Sequence, residues 1–284
     1  HEIVGRIETV GEAVAAAPGQ RVAVCPIIAC GHCYYCLRGS RNRCLARKTM
    51  GYDEDGGMSE YALVPASVVG LGHVFPLPPD LPAALATLME PAACVLNSLE
   101  TCRVKAGSSL VILGAGPMGL LHLLMARALG AAAVIASELE PARRGLARRF
   151  GATAAVDPRR DDLRAVVLDA TQGLGADAVV VTTGSTELLA AALALVRRQG
   201  VINLFAGFPP DSRTELDPNH LHYDEINLTG SQNATPEQYR RALLLLGVMP
   251  QAAQINTHAF PIAEAPKAYE SRLGMDGLKS LVIF

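Results

Sequence analysis

Apolar positions along the chain change their rhythm near residue 94. Before that point they come in short runs broken by Gly and Pro: Ile3, Val4, Ile7 and Val10 at the start, then residues 21–26 and 59–64. Short runs between turn formers predict the strands of an irregular β domain. From about 94 to 232 the runs lengthen and alternate in kind. Residues 109–113 read as a buried strand, 120–129 as a helix, and 132–136 as a second strand ending at Ser137-Glu138. A helix over 142–150, a strand over 178–182, a helix over 188–196 and a strand over 201–205 follow. Strands alternating with helices predict a doubly wound parallel α/β sheet. The last fifty or so residues predict two helices, near 236–247 and 262–272, and a closing strand at 279–284. Three segments result: 1–93, 94–232, and 233–284, the last expected to return to the first domain.

Composition adds boundaries rather than chemistry. A chain of 284 residues, half of them apolar, can bury two cores. The stretch nearest to a membrane span, 110–136, contains a glycine motif, His122 and Arg127, so it reads as strand, helix and strand, and no membrane partner is expected. A formal charge of -2 without a basic block excludes the clustered cations that neutralise nucleic-acid phosphates. Arg143, Arg144, Arg148 and Arg149 are expected to form one solvated helix face. No signal peptide, low-complexity tail or internal repeat is visible, and a cytoplasmic location is expected. The chain opens at His1, directly in a strand-like pattern, so an amino-terminal portion is expected to precede it.

Two motifs carry chemistry. Cys30, Cys33, Cys36 and Cys44 follow the pattern C-x2-C-x2-C-x7-C, inside a lobe of about 25–47. Four thiolates close a tetrahedral zinc site and leave no position for substrate, so such a site is structural. A disulfide pair or free thiols are the alternatives, and the short spacing without secretory features favours zinc. The second motif is Gly114-Ala115-Gly116-Pro117-Met118-Gly119, set between a predicted strand and a predicted helix. In that context the glycines permit a tight turn and let a pyrophosphate approach the helix N-terminus. Glu138 stands about 20 residues further on, where a carboxylate can bind both ribose hydroxyls. It favours NAD over NADP by repelling a 2'-phosphate, although Arg143 and Arg144 are near; the alternative is an ordinary solvated glutamate after a strand.

His1-Glu2 with Gly5 and Gly11, the cysteine lobe, Gly56-Gly57-Met58-Ser59-Glu60-Tyr61, Glu90-Pro91 and the glycine turn occur in that order. Together they resemble the zinc-dependent medium-chain alcohol and polyol dehydrogenase family over essentially the whole chain. Residues 90–97 and 222–231 look most like its iditol and sorbitol dehydrogenase branch, which includes 2-deoxy-scyllo-inosamine dehydrogenase-like enzymes. The resemblance implies a GroES-like catalytic domain with a structural zinc lobe, joined to a Rossmann domain. It further implies one structural and one catalytic zinc, the second held by His1, Glu2 and Glu90, with Glu90 a direct ligand or a close neighbour of one. Reversible oxidation of a secondary alcohol, a polyol, sugar alcohol or cyclitol, to a ketone follows, with hydride passing to NAD.

In that scheme Gly114, Gly116 and Gly119 admit the pyrophosphate, Pro117 and Met118 shape the turn, and Glu138 and Arg143 hold the adenosine ribose. Thr182, Thr183 and Gly184 are candidates for the nicotinamide side, unless they belong to a strand-to-helix turn capped by Ser185 or Thr186. Cys94 reads as a small core residue. The family's catalytic cysteine and the Ser or Thr of its proton relay have no counterpart here, and Cys25, which follows His1, does not have the spacing to replace the cysteine. The parent protein is expected to be active, and this segment alone to hold the catalytic metal weakly or not at all. Other readings are a dehydrogenase of the same fold for a threonine-type amino alcohol, a simple alcohol or a sugar phosphate, and a non-catalytic NAD-binding, zinc-stabilised module. The family implies a homodimer or homotetramer.

Overall fold

The computed structural model describes residues 1–12 and 14–284. The chain divides into two compact units, one of residues 1–94 with 233–284 and one of residues 95–232. The first boundary falls inside the helix Met89–Thr101.

In the unit of residues 95–232, six parallel strands form one sheet in the order Asn227–Gly230, Val196–Leu204, Ala176–Val181, Ser109–Leu113, Ala133–Ser137, Ala154–Val156. Numbered along the chain this is 6-5-4-1-2-3, the doubly wound order, and it reverses beside Ser109–Leu113, where ligands of such sheets gather. Helices Pro117–Ala128, Pro141–Arg149, Leu163–Ala170, Glu187–Leu195 and Pro218–Tyr223 lie between successive strands of the chain. The central strands Ser109–Leu113 and Ala133–Ser137 are largely apolar because both faces are covered, and every residue of Ala133–Ser137 is buried. Val111, Leu113, Val179, Val181 and Ile202 pack with Val167, Leu189, Ala192 and Leu195 in one cluster.

Two expectations for this unit need correction. The strand expected from residue 201 begins at Val196, at the end of the helix Glu187–Leu195, with a register shift against Ala176–Val181 between Val196 and Val201. The four arginines do not form one solvated face. Arg144 Nη1 donates to the carbonyls of Glu138 and Leu139, and its side chain is only 12% exposed, while Arg148 Nη2 donates to the Ala155 carbonyl. These guanidinium groups satisfy carbonyls that lie just past the strand Ala133–Ser137 and along the edge strand Ala154–Val156.

The unit of residues 1–94 and 233–284 is built from smaller pieces. Strands Ile3–Arg6, Arg21–Val24 and Val74–Pro76 make an antiparallel sheet. Ile27–Ile28 pairs with Lys48–Thr49, and Asn256–Pro261 runs parallel to Lys279–Ile283. Residues 59–64, expected to be a strand, are not one. No described strand pairs with them, and Tyr61 and Leu63 are exposed; the run has no ladder, and of its apolar side chains Val64 packs against Val24, Met50 and Val68. The helix expected over 262–272 is a short 3-10 turn, Ile262–Glu264, followed by the helix Ala265–Leu273. Among the described residues no helix is long and apolar enough to cross a membrane.

Candidate metal centres and nucleotide turn

In the lobe, each cysteine is positioned by a tight local turn. Cys33 precedes the one-turn helix Tyr34–Leu37 that carries Cys36, and Cys44 ends the 3-10 turn Arg41–Arg43. The four Sγ atoms all lie within 4.8 Å of one another. Backbone amides point at the sulfurs: Cys30 N donates to Cys44 Sγ at 3.3 Å. The amides of His32 and Cys33 hold the Cys30 thiol below its ordinary value, and those of Leu45 and Cys36 lower Cys33 to about 6. Burial opposes this at Cys36, whose thiol is pushed up to about 12. N–H donors aimed at sulfur favour thiolates, so the donor set fits a zinc ion. Cys25 stands apart, fully buried and pushed up to about 12 by desolvation.

A second cluster forms from residues far apart in sequence. His1 and Glu2 precede the strand Ile3–Arg6, whose pairing with Arg21–Val24 brings Ile3 opposite Val24. Glu90 lies in the first turn of the helix Met89–Thr101. One ligand atom from each of His1, Glu2 and Glu90 lies within 4.8 Å of the others, and His1 Nε2 is 3.7 Å from Glu90 Oε2. The His1 ring also meets the Tyr52 ring, centroids 5.0 Å apart. Glu90 is 9% exposed, and burial, reinforced by the Glu2 charge, raises its carboxyl to about 7. An imidazole nitrogen and two carboxylates offer the nitrogen and oxygen donors that zinc takes, and three protein ligands of this kind are the donor set of catalytic zinc sites.

Three further side chains belong to this cluster, and sequence reasoning did not find them. Lys279, at the head of the strand Lys279–Ile283, places Nζ 2.7 Å from Glu2 Oε1. Tyr239, on the helix Pro236–Gly247, donates its hydroxyl to Glu90 Oε1 at 3.3 Å. Cys94, expected to be a plain core residue, donates Sγ–H to the same oxygen at 3.4 Å. Only Cys94 had a legible signal, its i,i+4 spacing from Glu90 on one helix face.

The glycine turn shows why two of its glycines are required. Gly114 has φ +106, and a Cβ there would stand 2.6 Å from Thr182 Oγ1 and 2.7 Å from Thr183 Oγ1. A Cβ on Gly119 would run into the Gly114 carbonyl. Gly116 differs: its adjacent residues aside, the nearest described atom to a Cβ there would be Arg143 Nη1 at 4.0 Å. The chain itself leaves that space open at the start of the helix Pro117–Ala128, which is what a pyrophosphate needs. Pro117 takes the first helical position, where no N–H is lost from the ladder, and Met118 follows it.

Glu138 is buried beside this turn. Its Oε2 accepts from Ala115 N at 2.8 Å and its Oε1 from Glu140 N at 2.9 Å, so its carboxylate already ties the second strand to the turn. Thr182 Oγ1 donates to the carbonyls of Leu113 and Gly114, at 2.9 Å each, and joins a third strand end to the same turn. The helix Glu187–Leu195 has no side-chain cap from Thr186, so capping does not account for this segment.

Comparison with known proteins places these features in context. A family model described as "Alcohol dehydrogenase GroES-like domain" matches residues 1–78, and one described as "Zinc-binding dehydrogenase" matches residues 117–247. L-threonine 3-dehydrogenase of Pyrococcus furiosus is 36% identical over 78% of the chain, and the match spans 62% of that relative's length. L-galactonate-5-dehydrogenase of Escherichia coli K12 is 32% identical over 95% of the chain and 77% of its own length. Among solved structures, a protein of Sinorhizobium meliloti 1021 described as a zinc-binding dehydrogenase and bound to NADP superposes with a TM-score of 0.90. It is 32% identical, covering 100% of the chain and 82% of that protein.

Proposed function

Because the chain belongs to the zinc-binding medium-chain alcohol dehydrogenase family, we propose that the whole protein oxidises a secondary alcohol, a polyol or a sugar acid, to a ketone with NAD as hydride acceptor. The observation that carries this reading is the convergence of His1, Glu2 and Glu90 on one point. A zinc ion held there would lower the pKa of a substrate hydroxyl by Lewis acidity. His1 contributes an imidazole nitrogen, and Glu2 a carboxylate that Lys279 steadies. Glu90 supplies a second carboxylate from a rigid helix. The four-cysteine lobe holds a zinc of purely structural role.

On the cofactor side, Gly116 keeps the approach to the helix N-terminus open for the pyrophosphate. NAD is the better fit because Glu138 sets a carboxylate at the end of the second strand, where a 2'-phosphate would meet like charge. Arg144 and Arg159 do not offset it. Both are engaged by Asp157, which Arg159 holds well below the usual carboxylate range, and by backbone carbonyls. Arg143, beside Gly116, makes no hydrogen bond or ion pair among the described residues and remains for the cofactor.

The sugar-acid and polyol reading draws on the Escherichia coli relative, which aligns with nearly the whole chain. A threonine-type amino alcohol is the second reading, favoured by the higher identity to the Pyrococcus enzyme. The iditol and sorbitol branch rests on residues 90–97 and 222–231 alone.

The test is metal content per chain together with NAD reduction by the full-length protein, offered polyols, cyclitols, sugar acids and threonine in turn. About two zincs and turnover on a polyhydroxylated substrate support the proposal, and turnover on threonine alone moves it to the second reading. One zinc with nucleotide binding and no turnover would leave a non-catalytic module.

A further inference from the structure

Glu90 is the most buried member of the His1, Glu2, Glu90 cluster, and its two carboxylate oxygens face different partners. Oε2 is turned to His1 Nε2 at 3.7 Å. Oε1 receives both buried donors, the Tyr239 hydroxyl at 3.3 Å and the Cys94 thiol at 3.4 Å. These donors come from two helices that are distant in sequence. Cys94 sits one turn after Glu90 on Met89–Thr101. Tyr239, 1% exposed, sits on Pro236–Gly247, whose start is fixed by a capping box between Thr235 and Gln238. The phenol contact is long for an O–H···O bond, so orientation depends on two donors converging on one oxygen.

We propose that Tyr239 and Cys94 are positioning residues that hold the Glu90 carboxylate by Oε1 and thereby present Oε2 alone toward the metal bound by His1 and Glu2. The proposal rests on the catalytic-metal reading above. A carboxylate free to rotate would offer either oxygen or both, and the geometry of the metal would vary with it. Groups that orient a ligand through its second atom commonly govern metal retention.

The experiment uses the full-length protein loaded with Co2+ at both sites and follows two readouts, the visible Co2+ spectrum and the rate of metal loss to a chelator. The thiolate-to-cobalt band of the four-cysteine lobe reports in the same sample whether each variant is folded. Tyr239→Phe keeps the ring and removes the donor, Cys94→Ala removes the other, and Cys94→Ser restores a donor. The double variant Tyr239→Phe/Cys94→Ala is expected to lose the second Co2+ on the order of 10–100-fold faster and to shift its d–d bands, with the lobe band unchanged. Cys94→Ser in the Tyr239→Phe background is expected to recover much of that loss. Unchanged release and spectrum in the double variant would overturn the proposal. A parent protein that takes up only one metal overturns the catalytic-metal reading first, and the positioning role with it. Should Tyr239→Phe not fold, Cys94→Ala against Cys94→Ser makes the same comparison alone.

Discussion

The candidate sites of the two units are built in different ways. Residues 95–232 rely on backbone. A large apolar core fixes six parallel strands, and the strand ends converge on a glycine turn whose shape is set by absent side chains and by Glu138 and Thr182 bonded to its backbone. Residues 1–94 with 233–284 rely on side chains. Their strands are short, one apolar cluster consists of little more than Val24, Met50 and Val68, and four thiols in one lobe take the place of packing. Glu90 is buried beside His1 and Glu2, and its raised carboxyl records the desolvation cost. A site made of backbone tolerates change around it as long as the core holds; a site made of side chains depends on every neighbour.

The largest expected effect would break this comparison at the lobe. Replacing Cys33 and Cys36 by Ser should remove one metal per chain and, with it, stabilisation on the order of 10 kcal/mol, read as lost zinc and a fall in Tm. Cys102, a buried thiol of the other unit pushed up to about 12 by desolvation, serves as the contrast, and Cys102→Ala should leave metal content unchanged. An unchanged Tm in the double Ser variant would mean that the lobe folds by packing after all.

Next comes the turn. Gly119→Ala drives a Cβ into the Gly114 carbonyl, backbone that cannot yield, and should cost about 3 kcal/mol in urea unfolding while abolishing nucleotide binding by calorimetry. Retained affinity would show that the turn adapts.

A third test uses pH. His122, wholly buried and T-stacked on Phe205, is lowered from its ordinary 6.5 to about 4 by desolvation; its Nδ1 donates to the Met118 carbonyl and its Nε2 has no partner among the described residues. Because the folded value lies below the unfolded one, only the unfolded chain takes up the proton as pH falls from 6.5 toward 4. Stability is therefore lost across that window, by about 2–3 kcal/mol, and is complete above it. His122→Leu should flatten this slope in denaturant titrations at pH 4.5 and 7; an unaltered slope would assign the loss to other groups.

The smallest effect concerns cofactor choice. Glu138→Gln removes the charge that a 2'-phosphate would meet and should shift the ratio of kcat/KM for NAD over NADP about tenfold toward NADP, close to 1.4 kcal/mol. No shift would mean that the carboxylate serves only to brace Ala115 and Glu140.

Legibility in the sequence followed how local each cause was. The doubly wound sheet could be read from alternating apolar runs because a strand buried on both faces must be apolar along its length. The cysteine lobe and the glycine turn could be read because their spacing is itself the geometry: four sulfurs within fifteen residues, and a turn whose glycines answer contacts within and beside it. Residues 59–64 misled because an apolar run carries no mark of whether a partner strand exists. The arginines of 143–149 misled because long side chains can fold back on open carbonyls, which the helical pattern does not encode.

Sequence alone thus determined the doubly wound sheet, the position of the glycine turn and the four-sulfur set. His1, Glu2 and Glu90 were singled out by motif, but only tertiary structure decided that their ligand atoms meet, and that Lys279, Tyr239 and Cys94 close around them. The reason is physical. Those contacts join residues up to 277 positions apart, through strand pairing and helix packing that fix orientation, and no periodicity within the chain records which buried oxygen a distant donor will reach.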